Sequence, residues 1–143
     1  MNPIIFLDFD GVLNGHEWCH LGNSTLRINR GPAECLDEIV RRTGAEIVVI
    51  STWRVHLING DVKPSGFEWC LRTHGISAKV IGWLPDGEVE RRSEMIQDWL
   101  SSNPHGKFVV IDDLPLTVTP LIRPHPGIGL QPHHVSEAIR CLT

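Results

Sequence analysis

Three short apolar runs in this chain each stop at oxygen-bearing side chains, and that recurrence limits the fold more than any other feature. Ile4-Ile5-Phe6-Leu7 runs into Asp8-Phe9-Asp10-Gly11, Ile47-Val48-Val49-Ile50 into Ser51-Thr52, and Lys107-Phe108-Val109-Val110-Ile111 into Asp112-Asp113. Runs this short, rich in β-branched residues and bounded by turn formers, read as strands buried on both faces, as in a parallel sheet. Helical patterns separate them. Cys35, Leu36, Ile39 and Val40 recur at helical spacing between Gly31-Pro32 and Thr43-Gly44, and Phe67, Cys70 and Leu71 do so within residues 64–74. Further helices are expected over residues 53–59, 88–101 and 135–142, and further strands over 78–81 and 121–123. Tryptophans Trp69 and Trp99 are assigned to buried helix faces, while Trp18 and Trp83 fall in loops.

Alternating strands and helices predict an α/β domain with a mainly parallel sheet, whose ligand site lies at the carboxyl ends of the strands. Asp8, Asp10, Ser51, Thr52, Asp112 and Asp113 are thereby expected at one edge. At 143 residues the chain has the length of one domain, residues 1–143. Its 41% hydrophobic and 21% charged residues are ordinary for a soluble protein. No apolar run approaches the roughly 20 residues of a membrane span, and no basic residue precedes the first run, so a cytoplasmic protein with no membrane partner is expected. A net charge of −4 without a basic tract advertises no nucleic-acid-binding stripe.

Cys19, Cys35, Cys70 and Cys141 form no C-x-x-C pair, which argues against a zinc ribbon and for reduced thiols. Residues 14–30 read as a functional loop with a small hairpin beside the first carboxylates. Within it His16, Cys19 and His20 have the chemistry of a metal triplet, but ordinary loop residues are the preferred interpretation. His125, His133 and His134 are likewise not assigned to catalysis.

Two carboxylates as close as Asp8 and Asp10 oppose each other's ionisation unless a cation or a shared proton relieves them. Several acids converging from separate strands suit a hard cation, Mg²⁺, held by Asp8, Asp112, Asp113 and the backbone carbonyl of Asp10. A carboxylate is also a nucleophile toward phosphorus, which gives each residue a role. Asp8 would attack a phosphoryl group, and Asp10 would protonate the leaving oxygen and then activate water. Ser51 or Thr52 would hydrogen-bond a phosphoryl oxygen. Positive charge would come from Arg92 or Arg91, which sit against the dipole of their helix and so need anionic partners. Gly11, after Asp10, permits a sharp turn at the substrate. Arg54 either binds substrate or pairs with a nearby acid.

These residues resemble the motifs of the haloacid dehalogenase superfamily of phosphohydrolases and phosphotransferases. Asp8-Phe9-Asp10-Gly11-Val12-Leu13 resembles its first motif, residues 47–51 its second, and residues 109–113 its fourth. The third is usually a lysine, and Arg92 stands in that place. Within the superfamily, Ser51-Thr52-Trp53-Arg54, Arg92 with Ile96 and Trp99-Leu100, Asp112-Asp113 and Gly129-Leu130 resemble the small domains of Swiss-army-knife RNA repair proteins. The resemblance spans almost the whole chain and implies a Rossmann-like three-layer fold with five sheet strands in the order 5-4-1-2-3. It also implies an aspartyl-phosphate mechanism with Mg²⁺. Residues 14–30 and 55–86 leave room for little or no cap domain, so the site is expected to be open.

The main expectation is a Mg²⁺-dependent phosphomonoester hydrolase whose substrate is a phosphorylated small molecule or a nucleic-acid end. Alternatives are phosphotransfer to another acceptor and a non-catalytic phosphate- or partner-binding module. A response-regulator receiver is disfavoured, because it needs its phosphorylated Asp after the third strand, where this chain has Ile81-Gly82-Trp83.

Overall fold

The computed structural model describes residues 1–13, 17–21 and 24–143, with the backbone alone for 17–21 and 24–27. In chain order the first elements are β1 (Ile4–Leu7), β2 (Glu17–Leu21), β3 (Ser24–Ile28), α1 (Arg30–Thr43) and β4 (Glu46–Val49). A 3-10 turn over Thr52–Arg54 leads into α2 (Val55–Asn59), followed by α3 (Pro64–Thr73) and β5 (Val80–Trp83). A second 3-10 turn, Val89–Arg91, precedes α4 (Arg92–Ser102), then β6 (Phe108–Ile111), β7 (Leu121–Ile122) and α5 (Pro132–Leu142).

β5, β4, β1, β6 and β7 form one five-stranded sheet in that order, parallel throughout. Counting only sheet strands, this is the expected order read from the opposite edge. Side chains alternate across the sheet as the two-residue period of a strand requires. Ile5, Leu7, Ile47, Val49, Val109 and Ile111 share one core with α1, α3 and α5. Ile4, Phe6, Val48, Ile50 and Val110 share the other with Met95 and Ile96 of α4. The strands are apolar on both faces because helices cover both, which gives the three layers.

The hairpin of β2 and β3 is antiparallel and bears out the small hairpin expected within residues 14–30. It lies between β1 and α1, and the Asn29 N–H donates to Leu13 O at 2.8 Å across its base. With so short an insertion no cap is evident. The third sheet strand runs over Val80–Trp83, two residues later than expected. Gly82-Trp83 looks like a turn in the sequence, but both residues pair with Val48 and Val49 of β4.

Two expectations are corrected. Trp69 is 56% exposed on α3, because it lies two residues from Phe67 and so faces away from the buried stripe of Phe67, Cys70 and Leu71. Trp99 does pack in the core, edge-on to Phe6 at 5.4 Å. Cys70 is disulfide-bonded, so the thiols are not all reduced, while Cys35 and Cys141 are free. The triplet of His16, Cys19 and His20 lies outside the residues whose side chains are described. No helix among the described residues is long and apolar enough to cross a membrane.

Candidate active site

Sheet register brings the strand ends level. Leu7 pairs with Val49 on one side and Ile111 on the other, so the chain leaves β1, β4 and β6 at the same height. Hydrogen bonds extend that alignment one residue further, with the Asp8 N–H on Ile111 O at 3.0 Å and the Ile50 N–H on Leu7 O at 3.1 Å. The Asp112 N–H donates in turn to Ile122 O of β7 at 3.1 Å. Asp8 and Asp112 are thus fixed by the sheet itself rather than by flexible loops.

Their carboxylates meet that of Asp113. One oxygen from each of Asp8, Asp112 and Asp113 lies within 4.8 Å of the others, with Asp8 and Asp112 buried and Asp113 half-buried. Gly11 makes this approach possible: it has φ +82°, and a Cβ there would fall 2.5 Å from Asp113 Cγ. A left-handed conformation and a close neighbour both require glycine.

Arg92 opens α4 and reaches into the cluster from the other face of the sheet. Its Nη1 donates to Asp112 Oδ2 at 2.7 Å and lies 3.7 Å from Asp8 Oδ2. Arg91 points to solvent and pairs with Glu94 at 3.2 Å. Both arginines therefore have acids to offset their position at the positive end of the helix. The Nε–H of Arg92 is buried and has no partner among the described residues, an uncommon state for a polar group. Asp112 Oδ1 is occupied by the Leu114 N–H at 3.0 Å, which orients the carboxylate.

Three carboxylates face one guanidinium here, and the imbalance appears in the titration of Asp8. Burial first, and the charge of Asp112 second, push its pKa up to about 9 against the opposing pull of Arg92. The pKa of Asp113 is raised as well, chiefly by burial. Such a donor set is made entirely of hard oxygens and lacks positive charge, and both properties fit a divalent cation of the Mg²⁺ type.

Asp10 is exposed and stands outside this trio. Ser51 is buried, with its Oγ accepting the Trp53 N–H at 3.2 Å, while Thr52 beside it is exposed. Arg54 is buried, and its guanidinium donates to the carbonyls of Ile50, Ser51, Pro85 and Gly87. Among the described residues it makes no ion pair with an acid. His134 serves as a helix cap, its Nδ1 accepting the Gln131 N–H at 2.9 Å.

Sequence reasoning missed the link between the first motif and the start of α5. The Leu130 N–H donates to Val12 O at 2.9 Å, and a Cβ on Gly129 would fall 2.6 Å from that oxygen. Gly129, at φ +79°, lets the chain pass directly over the turn that carries Asp10 and Gly11. The only signal for this was a glycine before the final helix.

This arrangement of acids at the strand ends is that of a haloacid-dehalogenase-type domain, and the match to known families agrees. Residues 4–135 match the family described as the HAD domain in Swiss Army Knife RNA repair proteins, and the chain belongs to that family. No curated protein and no solved structure matched the chain. Membership points to phosphohydrolase-type chemistry.

Proposed function

We propose that this protein is a Mg²⁺-dependent phosphomonoester hydrolase that works through an aspartyl-phosphate on Asp8. The observation that carries this reading is the acidic trio of Asp8, Asp112 and Asp113 held at the carboxyl edge with Arg92 against it. Asp8, Asp112, Asp113 and the Asp10 carbonyl would hold Mg²⁺, which when bound supplies the positive charge that screens an anionic nucleophile from an anionic phosphoryl group.

In the first step an Asp8 carboxylate oxygen bonds to phosphorus as the bond to the ester oxygen breaks, and Asp10 gives its proton to the departing alkoxide. Water then attacks the same phosphorus, Asp10 takes a proton from it, and the acyl-phosphate bond breaks to return Asp8 and release inorganic phosphate. The exposure of Asp10 leaves its carboxyl group open to the leaving oxygen and to the attacking water. Ser51 and Thr52 would hydrogen-bond phosphoryl oxygens, with the backbone at Gly11 as a further substrate contact. The unpartnered Arg92 Nε–H supports a further contact of that kind.

The family is described from RNA repair proteins, so a phosphate at a nucleotide or nucleic-acid end is the proposed substrate class. The lack of a large cap over the site is compatible with a bulky ester. The test is hydrolysis of an aryl phosphate by purified protein in Mg²⁺ or EDTA. Turnover should require the metal and fall by more than about a thousandfold in Asp8→Asn, since removal of a nucleophile costs this order or more. Equal turnover in the two proteins would refute the role of Asp8. Mg²⁺ binding with no turnover across a broad panel of phosphate esters would favour the binding-module alternative.

A further inference from the structure

Arg54 is a buried cation whose guanidinium hydrogen-bonds to backbone carbonyls. Nη1 donates to Ile50 O at 3.0 Å and Ser51 O at 3.2 Å, Nε to Pro85 O at 3.0 Å, and Nη2 to Gly87 O at 3.3 Å. One guanidinium therefore ties the turn after β4 to the loop after β5 at the sheet's carboxyl edge. Between these segments is a half-open cleft of about 80 Å³, lined by Thr52, Arg54, Val55, Ile58, Asp86 and Gly87. Val55 and Ile58 present exposed apolar surface, and Asp86 is an exposed carboxylate. Asp86 Oδ1 accepts the Gly87 N–H at 3.0 Å, which fixes the acid on the loop.

The cleft adjoins the phosphoryl-binding turn, since Thr52 belongs to both. Asp8 and Arg92 of the acidic cluster and Asp86 of the cleft all act electrostatically on Arg54, which places the guanidinium within range of both centres. By contrast, the wider cavity of about 440 Å³ between α1 and α5 is lined by none of the motif residues that carry the chemistry.

We propose that this cleft is the leaving-group subsite of the phosphohydrolase, selecting phosphate monoesters whose alcohol carries a compact apolar body ending in a cationic or hydrogen-bond-donating group. The apolar body lies against Val55 and Ile58, and Asp86 receives the donor. An alcohol ending in an anionic group is disfavoured by the same carboxylate. Arg54 is a positioning residue that fixes the width of the cleft without touching the phosphoryl group. The inference rests on the phosphohydrolase reading and narrows its substrate class: an uncharged nucleoside, whose base is an apolar body edged with hydrogen-bond donors, is favoured over a nucleic-acid end, whose next phosphodiester is anionic.

The test uses three esters of similar leaving-group electronics: 4-(aminomethyl)phenyl, 4-(hydroxymethyl)phenyl and 4-(carboxymethyl)phenyl phosphate. Wild-type kcat/KM should fall in that order, by roughly fivefold from cation to anion, as expected for an exposed charge pair. The order should collapse in Asp86→Asn and invert in Asp86→Lys, which reverses the charge at the same point of the cleft. An order that persists in both variants, or no order in the wild type, would overturn the subsite while leaving Asp8-dependent turnover in place. Hydrolysis of none of the three alongside Asp8-dependent hydrolysis of unsubstituted phenyl phosphate would overturn the subsite alone. No turnover of these or of the broad ester panel would overturn the phosphohydrolase reading, and the subsite with it.

Discussion

Burial governs the chemistry of Asp8. With its pKa raised to about 9, the folded protein retains a proton that the unfolded chain has already released at neutral pH. The folded state then binds more protons than the unfolded state between about pH 4 and 9, so this group's contribution to stability falls as pH rises through that window. Urea titrations without divalent cation should show a midpoint that declines from pH 5 to pH 9, with a shallower decline in Asp8→Asn. Binding of Mg²⁺ must displace the same proton, so apparent affinity should rise by up to about tenfold per pH unit below 9. A pH-independent affinity from calorimetry would contradict the assignment. Arg92 is coupled to the same balance. Arg92→Ala leaves Asp112 buried without its 2.7 Å partner and should cost about 3–5 kcal/mol in denaturant unfolding, as for other broken buried pairs. Arg92→Lys restores a charge without the fork and should recover part of that loss.

At the level of elements, β1 is the part on which the site depends. Phe6 is fully buried, edge-on to both Trp99 and Phe108, and faces the α4 layer from the strand that leads into Asp8. Phe6→Ala should destabilise the protein by about 3–5 kcal/mol in chemical unfolding, with most of the cost from the cavity left behind. Strands such as this were legible in the sequence because burial on both faces demands unbroken apolar runs. The third sheet strand was legible only in part, since its Gly82-Trp83 end carries turn residues and its pairing is set by β4. The exposure of Trp69 is implicit in the spacing of Phe67, Cys70 and Leu71, which excludes it from their face. The clamp made by Arg54 left no sequence trace, because its partners are backbone carbonyls on a loop distant in the chain. Arg54→Met would leave these groups unsatisfied and should lower stability by about 2–3 kcal/mol, read by the same unfolding curve.

For the whole molecule, the α/β order explains why short motifs far apart in sequence form one site. Three parallel strands leave the sheet at the same level, so Asp8, Ser51 and Asp112 are delivered to one edge by register alone. That convergence was readable from where the apolar runs stop. The sorting of the acids was not readable: the sequence treats Asp8 and Asp10 as a pair, whereas the fold buries Asp8 with Asp112 and Asp113 and leaves Asp10 exposed. A turn decides this, through the left-handed Gly11 that lets Asp113 approach. The most direct test of the proposed mechanism is an acid quench of wild-type protein turning over an aryl phosphate in Mg²⁺, followed by peptide mass analysis. The mechanism predicts one phosphoryl group on Asp8, labile to hydroxylamine and missing from Asp8→Asn; a trapped phosphoryl group on any other residue would contradict it.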